Sequence, residues 1–232
     1  MSQVRIAHFS DVLCIWAYAG QRNLYQLIET FGDNVVVDVH FCSVFPDTQT
    51  KISKAWRDRG GFEGYGAHVQ DVAAKFDGLT VNPSVWTDVR PRSSASPHLF
   101  IKAIELMEQE PQGASWPSHF TDQLSVRAAM ELRAAFFADA QDISNWAVQR
   151  QVCDKIGLSF DKVLKKIETG EAIARLAADY ELGQSLGVQG SPTYLMNEGR
   201  QKLYGNVGYG ILEANISGLL REERSESASS CT

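Results

Sequence analysis

The opening of the chain leaves few ways to fold. Val4, Ile6, Ala7 and Phe9 form an apolar run of strand length, and Leu24, Leu27, Ile28 and Phe31 then recur at helical spacing up to Gly32. The run from Val35 to Cys42 is β-branched and aromatic, bounded by Gly32-Asp33-Asn34 and by Phe45-Pro46-Asp47, and reads as a second strand. Strand, helix and strand make a βαβ unit with a right-handed crossover and parallel strands. In open parallel sheets the binding crevice lies beyond the carboxyl ends of the strands, and both Cys14 and the segment after Cys42 fall at that edge. Cys14 sits where the first strand runs into the helix. There the unpaired N–H groups and the helix dipole favour an anion, so its thiol is expected to be lowered in pKa.

After Asp47 the strand-like runs stop and helical periodicity takes over, so residues 47–187 read as an all-helical insertion. Ile52, Trp56, Phe62, Tyr65, Val69, Val72 and Phe76 suggest two helices broken at Gly60-Gly61, followed by proline-punctuated connections at Pro83 and Pro91. Helices are expected over 97–109, with Pro111-Gln112-Gly113 as its stop, and over 120–138, apolar on much of its circumference. Ser144 and Ser159 are expected to cap two more, and Gly170 to open another. Strand character returns at Thr193-Tyr194-Leu195-Met196. Asn197-Glu198-Gly199-Arg200 supplies a hairpin turn, Lys202-Leu203-Tyr204 a last strand, and 208–220 a final helix. The sequence thus predicts an α/β chain whose sheet domain is split into 1–46 and 188–222, with a serine-rich tail, 223–232, expected to be disordered.

Asp11, Cys14, Trp16 and Tyr18 fall where a branch of the DsbA family of thiol-disulfide oxidoreductases has Asp-x-x-Cys-Pro-Trp-Cys-Tyr. Ile15 replaces the proline and Ala17 the second cysteine. Val188-x-Gly190-Ser191-Pro192-Thr193 is similar to the Val-x-Gly-x-Pro-Thr signature of the thioredoxin superfamily. The resemblance implies a thioredoxin-like fold with a helical insertion, a cis Pro192 beside Cys14, and backbone groups of Ser191 turned to a peptide or glutathione. It makes Cys14 the catalytic residue, and Asp11, Trp16, Ser191, Pro192 and His98 substrate-binding, the last because relatives often place polar residues at the start of that helix. Tyr204-Gly205-Asn206 keeps part of the glutathione segment of related proteins, so Ser191 and Asn206 are expected to hold that co-substrate, without the charged pair those relatives carry.

Thiol-disulfide exchange passes through a mixed disulfide, and with Ala17 in place of a cysteine an external thiol such as glutathione has to resolve it. The leading expectation is therefore a monothiol, DsbA-like oxidoreductase acting on a thiol or disulfide substrate, small molecule or peptide. Two others stand beside it. One is a glutathione-dependent enzyme like 2-hydroxychromene-2-carboxylate isomerases and kappa-class glutathione transferases, which carry a single serine near the Cys14 position. The other is a redox-inert binding protein in which Cys14 only packs. Cys42 could act as a resolving thiol only if its Cα lay within about 7 Å of that of Cys14.

Net charge of −6 argues against nucleic-acid and anionic-membrane partners, which require a basic face. The cysteines Cys14, Cys42, Cys153 and Cys231 have no metal-ligand spacing, so neither a metal nor a permanently bound cofactor is expected. The first residues lack a secretory pattern, which gives a cytoplasmic expectation. The oligomeric state is open, a homodimer being allowed.

Overall fold

The computed structural model describes residues 3–109 and 119–229, with side chains described to Glu222. β1 (Val4–Ser10) and β2 (Val35–Phe41) pair in parallel, Val4 opposite Val35 and Ser10 opposite Phe41, and α1 (Ile15–Phe31) makes the crossover. β3 (Thr193–Met196) runs antiparallel on the other side of β1, and β4 (Gln201–Tyr204) antiparallel to β3, giving the order β2-β1-β3-β4. β1 is therefore central, which suits an apolar run with Val4, Ile6 and Phe9 all fully buried.

One face of the sheet is closed by α1 and α9 (Tyr209–Ser229), with Ile6, Val37 and Met196 meeting Leu24, Leu27, Leu212 and Ile216. Between β2 and β3 the chain forms α2 (Thr48–Ala55), α3 (Gly61–Ala73), α4 (Ala95–Gln109), α5 (Leu124–Phe137), α6 (Trp146–Ile156), α7 (Phe160–Glu168) and α8 (Glu171–Ser185). Their core takes in Val12, Leu13 and Cys14 from the turn after β1, and Phe41 and Phe45 from the end of β2. The carboxyl edge of the sheet is thus welded to the helices, and the site lies in that seam. α8 comes so close that a side chain on Gly183 would meet the Phe9 ring at 3.4 Å.

Several boundaries differ from those the sequence suggests. α4 starts at Ala95, so Pro97 lies inside its first turn, where a missing N–H leaves no helical bond unmade. The stretch 120–138 is not one helix: Phe120–Asp122 is a 3-10 turn, Gln123 is extended, and α5 begins at Leu124. The Glu108 carboxylate decides that start by accepting the N–H groups of Leu124 and Ser125. α6 is capped by Asn145, whose Oδ1 accepts from the Ala147 N–H at 2.9 Å, because Ser144 is engaged with Asp142. The last helix runs to Ser229, beyond Leu220 and into the segment expected to be disordered; no glycine or proline interrupts it there, and Glu and Arg are sound helix formers. The stop at Pro111-Gln112-Gly113 and Cys231 lie outside the described residues.

Candidate active site

Two distant turns meet at the carboxyl end of β1. Cys14 is the N-cap of α1, in extended conformation, and its Sγ–H donates to the carbonyl of Ser191 at 3.2 Å. The Ser191–Pro192 peptide bond is cis. Ser191 also accepts the Asp11 N–H on its hydroxyl at 2.8 Å.

Cys14 is 6% exposed, and burial pushes its thiol above the ordinary value. A Ser191 side-chain hydrogen bond and the N–H groups of Ala17 and Trp16 pull the other way, while Asp11 adds to the rise. Desolvation outweighs the helix terminus, so the expected lowering of this pKa is not what the structure shows. The residue still lines a cavity of about 290 Å³, walled by Trp16, Phe45, Trp56, Tyr65 and Tyr204, with Ser191 and Lys51 also on the lining. Behind that wall Trp86, fully buried at φ 68°, stacks on Phe45. Lys51 holds its ammonium on the Val44 carbonyl, 4.9 Å from the centre of the Phe45 ring.

Asp11 does not face this cavity. It is fully buried, Oδ1 accepting from Leu13 N–H at 2.9 Å and Oδ2 from Val44 N–H, Phe45 N–H and the Ser94 hydroxyl at 3.0, 3.0 and 2.7 Å. With its lone pairs taken it positions three backbone segments, which corrects the expectation that it binds substrate.

His98 is likewise withdrawn. Its ring is buried against Phe41, centroids 4.3 Å apart, and Nε2 accepts the Val12 N–H at 3.2 Å. Nε2 also lies 3.7 Å from Asp11 Oδ1, but a nitrogen that accepts a hydrogen bond carries no proton, so the pair is not ionic. Burial pushes the His98 pKa down to about 4, with Asp11 opposing. His98 is therefore absent from the cavity lining, against the expectation that it binds substrate.

Of the other expected residues, Trp16 and Ser191 line the cavity with Cys14, whereas Pro192 and Asn206 do not. Pro192 is buried and its carbonyl accepts the Gly205 N–H at 2.8 Å. Asn206 lies against Gly20 on α1, where its Oδ1 would be 3.2 Å from an added Cβ. The aromatic wall escaped the sequence reading because Trp56 and Tyr65 recur at helical spacing and look like core. Trp16 is the member of the wall that the sequence does mark, through the resemblance, whereas the 62% exposure of Tyr204 on its four-residue strand shows only in the fold.

Cys42 belongs to a second cavity, of about 510 Å³, that meets the first at Val44, Lys51, Gln189 and Gly190. Its Sγ lies 3.8 Å from the Gly190 carbonyl, and burial raises its pKa, so it is a poor attacking thiol. No group of three or more metal-binding side chains occurs among the described residues, and no helix there is long and apolar enough to cross a membrane.

Residues 118–217 match the family model of the DSBA-like thioredoxin domain, a span that includes the cis-proline turn and begins after Cys14. A Nitrosomonas europaea protein provisionally named a protein disulfide isomerase superposes with a TM-score of 0.74 at 12% identity, over 95% of this chain and 99% of its own. The chain has a DsbA-like thioredoxin fold. The cytosolic disulfide reductase DsbM from Pseudomonas aeruginosa, in a structure with GSH, gives 0.61 at 16% identity, over 97% of this chain and 99% of its own. A 2-hydroxychromene-2-carboxylate isomerase gives 0.61 at 13%, over 95% and 98%. No curated protein matches the sequence at a significant level. The DsbA-like fold is therefore shared by oxidoreductase and isomerase neighbours, and this chain's chemistry has to be argued from its own residues.

Proposed function

We propose that the protein is a thiol-dependent oxidoreductase that works through Cys14 alone. The observation that carries this is the contact between the Cys14 Sγ and the Ser191 carbonyl at the floor of an aromatic-walled cavity. Cys14 attacks one sulfur of a bound disulfide; the new bond joins Cys14 to that half, the old S–S bond breaks, and the departing thiolate takes the proton that Cys14 loses. Ala17 offers no second sulfur, so an outside thiol such as glutathione attacks the mixed disulfide and returns Cys14 as its thiol. Lys51 gives a cationic group on the cavity lining for a carboxylate of such a thiol. DsbM, which shares the fold, was crystallised with GSH. The raised pKa makes the thiol slow at neutral pH and faster as the pH rises.

The aromatic wall favours a second reading, glutathione-dependent isomerisation or transfer on a small aromatic compound. One experiment separates the two. The full chain is treated with oxidised glutathione, the adduct is mapped by mass spectrometry, and turnover of a disulfide is compared with that of an aromatic electrophile, each with glutathione. An adduct on Cys14 with disulfide turnover supports the oxidoreductase. Aromatic turnover with no disulfide turnover supports the second reading, and no adduct with no turnover defeats both.

A further inference from the structure

Arg133, on α5, is buried, and its surroundings are unlike those of Lys102, also buried. Lys102, 1% exposed, has two carboxylates at hand, Glu105 at 2.6 Å and Asp179 at 2.8 Å. Arg133, 6% exposed, makes no ion pair among the described residues. Its Nη2 donates to the Ser10 hydroxyl at 2.9 Å and its Nη1 to Gln21 Oε1 at 3.4 Å, both neutral, and its Nε–H has no acceptor. A guanidinium cannot shed its proton to escape such a place, and the Asp11 carboxylate acts on it only through space, so burial leaves a positive charge with no anion in contact.

Beside it lies a cavity of about 30 Å³, with His8, Ser10, Gln21 and Tyr25 on its lining together with Arg133. That is room for one or two water-sized bodies. The Tyr25 hydroxyl accepts from Gln21 Nε2 at 2.9 Å, which leaves its own O–H to donate. Burial keeps Tyr25 protonated and holds His8 neutral, its pKa down at about 3, so neither offsets the guanidinium. Tyr25 and Met130 also border a wider cleft of about 380 Å³ that carries Glu29, Arg127 and Glu131. Two carboxylates there disfavour a polyanion, and a small monovalent ion is the species that fits both the charge and the space.

We propose that Arg133, Tyr25 and Ser10 form a binding site for a single halide-sized monovalent anion between α1 and α5. The anion takes the idle donors and puts a negative charge in contact with the guanidinium at the helix pair that carries Cys14. It stabilises the fold and takes no part in the thiol chemistry, so the proposal stands or falls apart from that of Cys14.

The test is thermal unfolding of the full chain in sodium chloride, sodium bromide and sodium gluconate at equal ionic strength, with a bromide-soaked crystal read by anomalous scattering. A saturable rise of about 4 °C in halide over gluconate at tenfold excess over the dissociation constant is expected, with bromide located on the Arg133 guanidinium. Arg133→Met abolishes the difference, and Tyr25→Phe, which keeps the ring, weakens it should Arg133→Met not fold. Equal unfolding temperatures in all three salts, or bromide found only elsewhere, overturn the proposal.

Discussion

The Asp11 N–H donates to the Ser191 hydroxyl at 2.8 Å, joining segments 180 residues apart on the chain. With the Cys14–Ser191 contact it makes Ser191 a double latch, one bond through its side chain and one through its backbone. Ser191→Ala removes the first and leaves a buried N–H without an acceptor. A loss of about 1–3 kcal/mol in denaturant unfolding is expected, together with faster alkylation of Cys14 as the cis-proline turn loosens. Unchanged stability and unchanged labelling would show that the latch does not hold the turn.

Asp11 gathers more bonds than any other side chain near the site, and its loss should be correspondingly severe. Asp11→Ala strands three backbone N–H groups and leaves the Ser94 hydroxyl only the Phe45 carbonyl, at 3.2 Å. At least 3 kcal/mol of destabilisation is expected, against much less for Asp11→Asn, which keeps an oxygen acceptor. Paired chemical-denaturation curves decide it; equal effects of the two variants would remove the carboxylate from its organising role.

The sheet was legible because its strands carry β-branched and aromatic runs bounded by turn residues, and the order of Val35–Phe41 after α1 fixed a parallel pair. The meeting of Cys14 with the Ser191–Pro192 turn was legible only through a resemblance, since no periodicity links residues so far apart. What stayed hidden depends on packing. Asp11 and His98 carry polar side chains at positions where substrate contact was plausible, yet their partners are backbone N–H groups of Val12, Leu13, Val44 and Phe45, which any sequence would offer. The thiol's electrostatics are hidden from the sequence for the same reason. Helix position can be read from a sequence, whereas the depth at which Val12, Leu13 and the helical core bury the sulfur cannot.

That depth sets the pH response of Cys14. Because burial raises its pKa, the thiolate is scarce at neutral pH, and alkylation by iodoacetamide should be slower there than for free glutathione. The rate should keep climbing past the ordinary thiol value of about 8.5. A plateau reached below pH 7 would reinstate an activated thiolate. Ala17→Cys places a second sulfur whose backbone N–H already faces the first, and should raise insulin reduction at low glutathione.

The buried histidines govern behaviour in acid. His98 is held near a pKa of about 4 and His8 near about 3, both chiefly by desolvation, against an ordinary value of about 6.5 in the unfolded chain. A group whose folded pKa is depressed binds fewer protons when native, so its neutral form stabilises the fold fully above about pH 6.5, and that stabilisation drains away as pH falls toward 4 and then 3. For His98 the amount at stake is about 3 kcal/mol. His98→Gln retains an acceptor for the Val12 N–H but cannot protonate. Its unfolding free energy, measured in denaturant from pH 7 to pH 4, should therefore fall less steeply than that of the wild type, even if it starts lower. Parallel curves across that range would mean that His98 titrates normally in the folded chain and that the burial of its ring does not control its charge.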